Sequence, residues 1–166
     1  PLPHYETRRD MIAEGVYYPQ RKLARKEATM AAMTQDVREL FETAENMVLC
    51  TASADGAPNG AAIGMKTVID EETVYISDQF FKKTLANLKE NQKVAVAFWT
   101  GHDAFQIHGT ARYVNEGDEF AVQKEMVDAK FASMGLPIKA KGGCFIHVDA
   151  VYQICLLYTS DAADEA

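Results

Sequence analysis

The sequence predicts a mostly β domain: six strands in antiparallel hairpins forming a small barrel, with helices at its edges. Three features of the chain point there. Apolar runs of strand length follow one another, separated by turn residues at Asp55-Gly56, Asp70-Glu71-Glu72 and Gly101-His102-Asp103. Helical periodicity is confined to three short stretches. No strand-helix-strand alternation of the kind that builds a parallel sheet recurs along the chain.

Taken in order, Thr34 caps a first helix whose apolar positions Val37, Leu40, Phe41, Ala44 and Val48 recur at helical spacing. MVLCTAS (47–53) and PNGAAIGMKTVI (58–69) form a hairpin through Asp55-Gly56, and the acidic turn 70–72 leads into TVYIS (73–77). A short helix follows in the stretch YISDQFFKKTLANLKEN (75–91), then the strands KVAVAFW (93–99) and AFQIHGTARYV (104–114). Asp118 caps another amphipathic helix with Phe120, Val127, Phe131 and Met134 on one stripe, closed by Gly135 and Pro137. GGCFIHVDAVYQI (142–154) is the last strand.

The two ends read differently from the middle. Lys26 and Glu27 can be encoded as AAGGAG, a ribosome-binding sequence at suitable distance from Met30, so residues 1–29 are expected to be upstream DNA read in frame or else a disordered basic arm. CLLYTSDAADE (155–165) is what a transposase-type sequencing adapter encodes in one frame, so 155–166 are expected to be an artefact. The domain is then residues 30–154, a length that buries one core without disulfide staples. Cys50 and Cys144 lie singly in apolar runs, which suits packed thiols in a reducing cytoplasm. No apolar run reaches membrane-spanning length.

Residues 30–154 hold eleven Lys and Arg against seventeen Asp and Glu, a balance that disfavours nucleic acid as a partner. Four of those cations, Lys82, Lys83, Lys89 and Lys93, nevertheless fall within twelve residues. Lys82 and Lys83 stand where a helix begins, at the end its dipole makes positive. The first backbone N–H groups there lack partners inside the helix, so an anion would satisfy both them and the lysines, with the Thr84 hydroxyl as a further donor. A phosphate fits that description.

The flanks supply context: a strand with Met65-Lys66, a strand ending Ile76-Ser77, the loop DQFFKKT, a helix with Asn87, KVAVAFW, and a strand broken at Gly109. In this order and spacing, the chain from Met33 to Ile154 resembles the pyridoxamine 5′-phosphate oxidase-like FMN-binding split barrel family. The resemblance implies a six-stranded antiparallel split β-barrel and a flavin site. Lys83 and Thr84, with Lys82 beside them, match the residues that bind the FMN phosphate, and Ser77 matches a hydroxyl facing the flavin. Ala62, Ile63, Gly64 and Met65 match the segment whose backbone lies against the isoalloxazine ring. Lys66 matches a lysine that helps hold the substrate phosphate in the oxidases, and Gln106 lies on a strand that completes the site, often from the other subunit. The resemblance also implies a homodimer with FMN at its interface and a small-molecule redox substrate.

Departures from the family pattern limit the transfer. Ala61 stands where the oxidases carry an arginine, and their C-terminal Arg and His segment has no counterpart here. Making pyridoxal phosphate is therefore not expected, and the chain looks more like the small flavoproteins of the family. The leading expectation is a cytoplasmic FMN-dependent oxidoreductase; the alternatives are a non-catalytic flavin- or haem-type binding module or electron carrier, and a barrel that binds some other phosphate. His108 and His147 sit in separate apolar strands without a carboxylate at ligand spacing, and Ser53 lacks a Gly-x-Ser-x-Gly frame, so neither a metal centre nor a serine hydrolase is expected. Trp99, Phe98 and Phe105 are aromatic residues of strands, candidates for core first and for a flavin wall second.

Overall fold

The computed structural model describes residues 32–101 and 103–154, so the expectations for 1–29 and 155–166, and His102 of the predicted turn, lie outside the described residues. Helix α1 (Gln35–Thr43) is followed by strands β1 (Asn46–Ala52), β2 (Pro58–Ala62), β3 (Lys66–Val68) and β4 (Thr73–Asp78). Then come α2 (Lys83–Glu90), β5 (Lys93–Thr100), β6 (Asp103–Val114), α3 (Asp118–Ser133) and β7 (Gly142–Gln153).

All strand pairs are antiparallel, in one sheet ordered β2-β1-β5-β6-β7-β4-β3. The sheet has seven strands among the described residues where six were expected. The stretch 58–69 reads as one strand but changes partner halfway: β2 pairs with β1, and β3 pairs with β4. Residues 63–65 form the bridge. The Ile63 N–H donates to Met47 O at 3.0 Å, and the Met65 carbonyl accepts from the Ser77 N–H at 3.0 Å, so these three residues join the two outer edges of the sheet. A sheet whose edges are so joined must curl, and it forms a half-barrel.

The inside of the curl is the core. Leu49, Val96, Phe98, Ile107, Ile146 and Val148 fill it from four strands, and Phe41 of α1 closes one end, its ring edge-on to Phe98 at 5.2 Å. α3 lays Phe120, Val127 and Phe131 on the other face of β4 and β7, against Tyr75 and Phe145. That second layer explains why β4 is buried on both faces instead of alternating.

Two turn glycines behave as their sequence predicts. Gly56 of the first hairpin has φ 87°, and Gly135 ends α3 at φ 70°. Gly109 marks a register shift in β6, and a Cβ there would lie 2.4 Å from the His147 carbonyl, so the strands approach as closely as only glycine permits. Three details differ. Val48 belongs to β1, because α1 stops at Thr43 and an apolar residue satisfies either period. The residue preceding α3 is Gly117 at φ 92°, which places Asp118 inside the first turn. Met134 is half exposed, outside the buried stripe.

Candidate functional site

A cleft of about 280 Å³ opens where the sheet edges part, walled by residues 59–64 and 79–84 together with Ser77. It joins three elements distant in sequence: the β2 end and bridge, the C-terminal end of β4, and the start of α2. Seven of the residues named from sequence line it: Ala62, Ile63, Gly64, Ser77, Lys82, Lys83 and Thr84. Met65, Lys66 and Gln106 do not.

Helix α2 begins at Lys83, with Lys82 at its N-cap; no side chain caps this end and its first turn carries no acidic residue. Lys82 and Lys83 are exposed, and Thr84 is buried. Uncompensated N–H groups, two ammonium groups and a hydroxyl therefore converge at one mouth of the cleft, the donor set a phosphate takes.

The loop feeding α2 is held by Asp78, which is only 2% exposed. Its carboxylate accepts the Phe81 N–H at 2.7 Å and the Tyr113 O–H at 2.9 Å, and its carbonyl accepts the Lys141 N–H at 2.8 Å. Burial, then the neighbouring Asp78 carboxylate, pushes the Tyr113 phenol far above its ordinary range, so this hydroxyl remains a donor. The sequence did carry one signal for Asp78: an aspartate directly after a strand, with its side chain able to bond the N–H three residues on. Ser77, also buried, accepts from Gln79 Nε2 at 2.6 Å.

Asn59 is the other residue the sequence reading missed. One amide nitrogen reaches both Thr84 Oγ1 and Thr51 Oγ1, each at 3.1 Å, and Asn87 Nδ2 approaches the same Thr51 hydroxyl at 3.1 Å. Nothing local in the sequence pairs Asn59 with a threonine 25 positions away; the link exists because α2 packs across β1 and β2.

Lys66 has turned elsewhere. Its ammonium donates to the Ala44 carbonyl at 2.7 Å, satisfying an acceptor at the C-terminal end of α1. Burial, and next the Lys130 charge, pulls this lysine below its ordinary range, with Glu42 opposing. Gln106 sits in β6 opposite Ala97 of β5 and Tyr152 of β7. Continuing that row, Ala97 faces Val48 and Val48 faces Ala62. Gln106 thus shares a row with the cleft residue Ala62 but lies three strand spacings away, about 14 Å.

Cys144 lies fully inside the core, and burial raises its thiol to about 12, so it stays protonated and inert. No helix among the described residues is long and apolar enough to cross a membrane.

Comparison with known proteins bears on the fold and the family. Residues 33–143 match the family model described as pyridoxamine 5′-phosphate oxidase. An uncharacterized protein of Methanocaldococcus jannaschii is 36% identical over 121 residues, which span 70% of this chain and 78% of that protein. Among solved structures, an FMN-binding protein from Syntrophomonas wolfei superposes with a TM-score of 0.62 at 21% identity, covering 73% of this chain and 85% of that one. HutZ, the heme storage protein from Vibrio cholerae, superposes at 0.56 with 13% identity, covering 74% and 94%. At these identities the two structures speak for the fold alone. The family match spans most of the described domain, and the chain belongs to the pyridoxamine 5′-phosphate oxidase-like family.

Proposed function

We propose that the protein binds FMN, with the phosphate on the start of α2, and acts as an oxidoreductase passing electrons from a reduced donor to a small acceptor. The observation behind this reading is the convergence of Lys82, Lys83 and Thr84 with the bridge 62–64 and Ser77 in one cleft. These residues fit the group: the cations and the uncapped helix end match a phosphate dianion, and Ala61, Ala62 and Gly64 leave backbone accessible to a flat ring. When bound, the flavin supplies two-electron redox chemistry. Lys83 and Thr84 fix the phosphate, Lys82 adds charge, and Asp78 holds the loop that presents them. Ile63 and Met65 spend their backbone groups on the sheet edges, which keeps the bridge rigid beside the ring.

A homodimer completes the site in this reading. Gln106 cannot reach the cleft of its own protomer across three strands, whereas the row Ala62, Val48, Ala97, Gln106 and Tyr152 offers one continuous face to a second copy. Met65 then remains a bridge residue packed beneath the α3 layer, and Lys66 a helix-end partner.

An absorbance spectrum of the purified protein, with and without reductant, tests the cofactor. Oxidised-flavin maxima that bleach on reduction are the expected result, and a preparation that takes up no flavin overturns it. The likeness to the heme storage protein favours one second reading, a flavin- or haem-binding module without turnover. A Soret band after haem addition, with no NAD(P)H oxidation by the flavin-loaded protein, would favour that module. Light scattering decides the assembly: a flavin-loaded particle of monomer mass contradicts the shared site.

A further inference from the structure

We infer that Asn59 is a positioning residue that commits the Thr84 hydroxyl to act as a donor into the cleft, and so sets the preference for a phosphate-bearing ligand. The inference rests on the FMN reading above and deepens it. A threonine hydroxyl can donate or accept, and inside a helix its proton can turn back to the carbonyl one turn earlier, a partner that the first turn does not supply. Here Asn59 Nδ2 occupies the acceptor side of Thr84 Oγ1 at 3.1 Å. An amide NH₂ has no lone pair to offer, so the Thr84 proton must point away from Asn59. Among the described residues no acceptor takes that proton, and Thr84 lines the cleft.

Asn59 is itself fixed. The second hydrogen of its amide goes to Thr51 Oγ1, a 5% exposed hydroxyl that Asn87, 1% exposed, also approaches from α2. Thr51, Asn59, Thr84 and Asn87 thus form one small polar cluster tying β1, β2 and α2 together behind the proposed phosphate. At Thr84 the polarity runs one way: its oxygen accepts from the Asn59 amide and its proton faces the cleft, where an acceptor is welcome, while Asn87 Oδ1 is left as a buried acceptor without a partner behind it. A phosphate oxygen is such an acceptor.

Substitution at Asn59 separates this role from mere packing, since the residue sits half exposed in the sheet's edge strand β2. FMN and riboflavin are titrated by flavin fluorescence into the full chain and into Asn59→Ala and Asn59→Asp, with thermal melts of each apo protein. Asn59→Ala should lose about tenfold in FMN affinity, one weakened hydrogen bond to a charged group, while riboflavin affinity holds. Asn59→Asp, isosteric but acceptor-only, would capture the Thr84 proton and set a carboxylate beside the phosphate, and should lose more. In a Thr84→Val background the Asn59→Ala loss should vanish. The inference is overturned if both Asn59 variants bind FMN as the parent does, or if they lose FMN and riboflavin equally. A parent protein that binds riboflavin as tightly as FMN contradicts the phosphate reading itself, a different failure.

Discussion

Helices α3 and α2 begin with opposite charge. α3 opens with Asp118 and Glu119, and Arg112 pairs with Glu119, holding its carboxyl below the ordinary range. α1 likewise carries Asp36 in its first turn, where the Thr34 hydroxyl donates to it. These ends follow the dipole, negative side chains against the positive end. α2 opens with Lys82 and Lys83 and no acid; none of the three starts has a side-chain cap, so charge is what sets α2 apart. A folded protein with no use for an anion would gain a few tenths of a kcal/mol by exchanging those lysines for acids. The difference teaches that a helix end built against the dipole is the one to examine for a ligand, and here it also borders the cleft.

The largest expected effect comes from making α2 resemble α3. Lys83→Glu removes one charge-assisted bond and adds repulsion, so FMN affinity should fall more than about a hundredfold. The same change should leave the apo protein as stable as before or a few tenths of a kcal/mol more so. Titration and melting on one sample check both signs. A variant that is destabilised while still binding FMN would break the comparison.

Asp78→Ala addresses what holds the α2 start in place, a device α3 lacks. It leaves the Tyr113 hydroxyl and the Phe81 N–H without their acceptor inside the fold, a cost of about 2–3 kcal/mol in a chemical melt. FMN affinity should fall with it, because the loop carrying Lys82 and Lys83 loosens. Unchanged stability would show that water satisfies those donors.

The smallest effect is the mirror of the first. Asp118→Lys gives α3 the charge of α2 and should cost about 0.3–1 kcal/mol, less at high salt, with no change in flavin binding. A loss of flavin here would mean that long-range charge, and not the local donor set, governs the site.

Much of this was legible from residue order. Period-two and period-3.6 patterns found the three helices of the described residues and most strands, and Gly56, Gly109 and Gly135 marked real turns and a close approach. The split of 58–69 was not legible, since both halves are strand-like and only the tertiary arrangement decides which partner each takes. Lys82, Lys83 and Thr84 stood out because they oppose the dipole, a local conflict visible without a structure. Lys66 and Gln106 could not be placed the same way: a residue's position on a strand does not say where a long side chain reaches, or which copy's cleft it serves. Asn59 and Asp78 act through partners 25 and 35 residues away, contacts that exist only once the sheet has curled.

The central claim is that the start of α2 holds the phosphate of a flavin. Fluorescence titration of the apo protein and of Lys83→Ala/Thr84→Ala with FMN and riboflavin tests it most directly. The account predicts that the parent prefers FMN by about a hundredfold or more, on the scale of two charge-assisted hydrogen bonds, and that the double variant binds the two flavins alike while still unfolding in one cooperative melt. A double variant that keeps the full preference for FMN would contradict it.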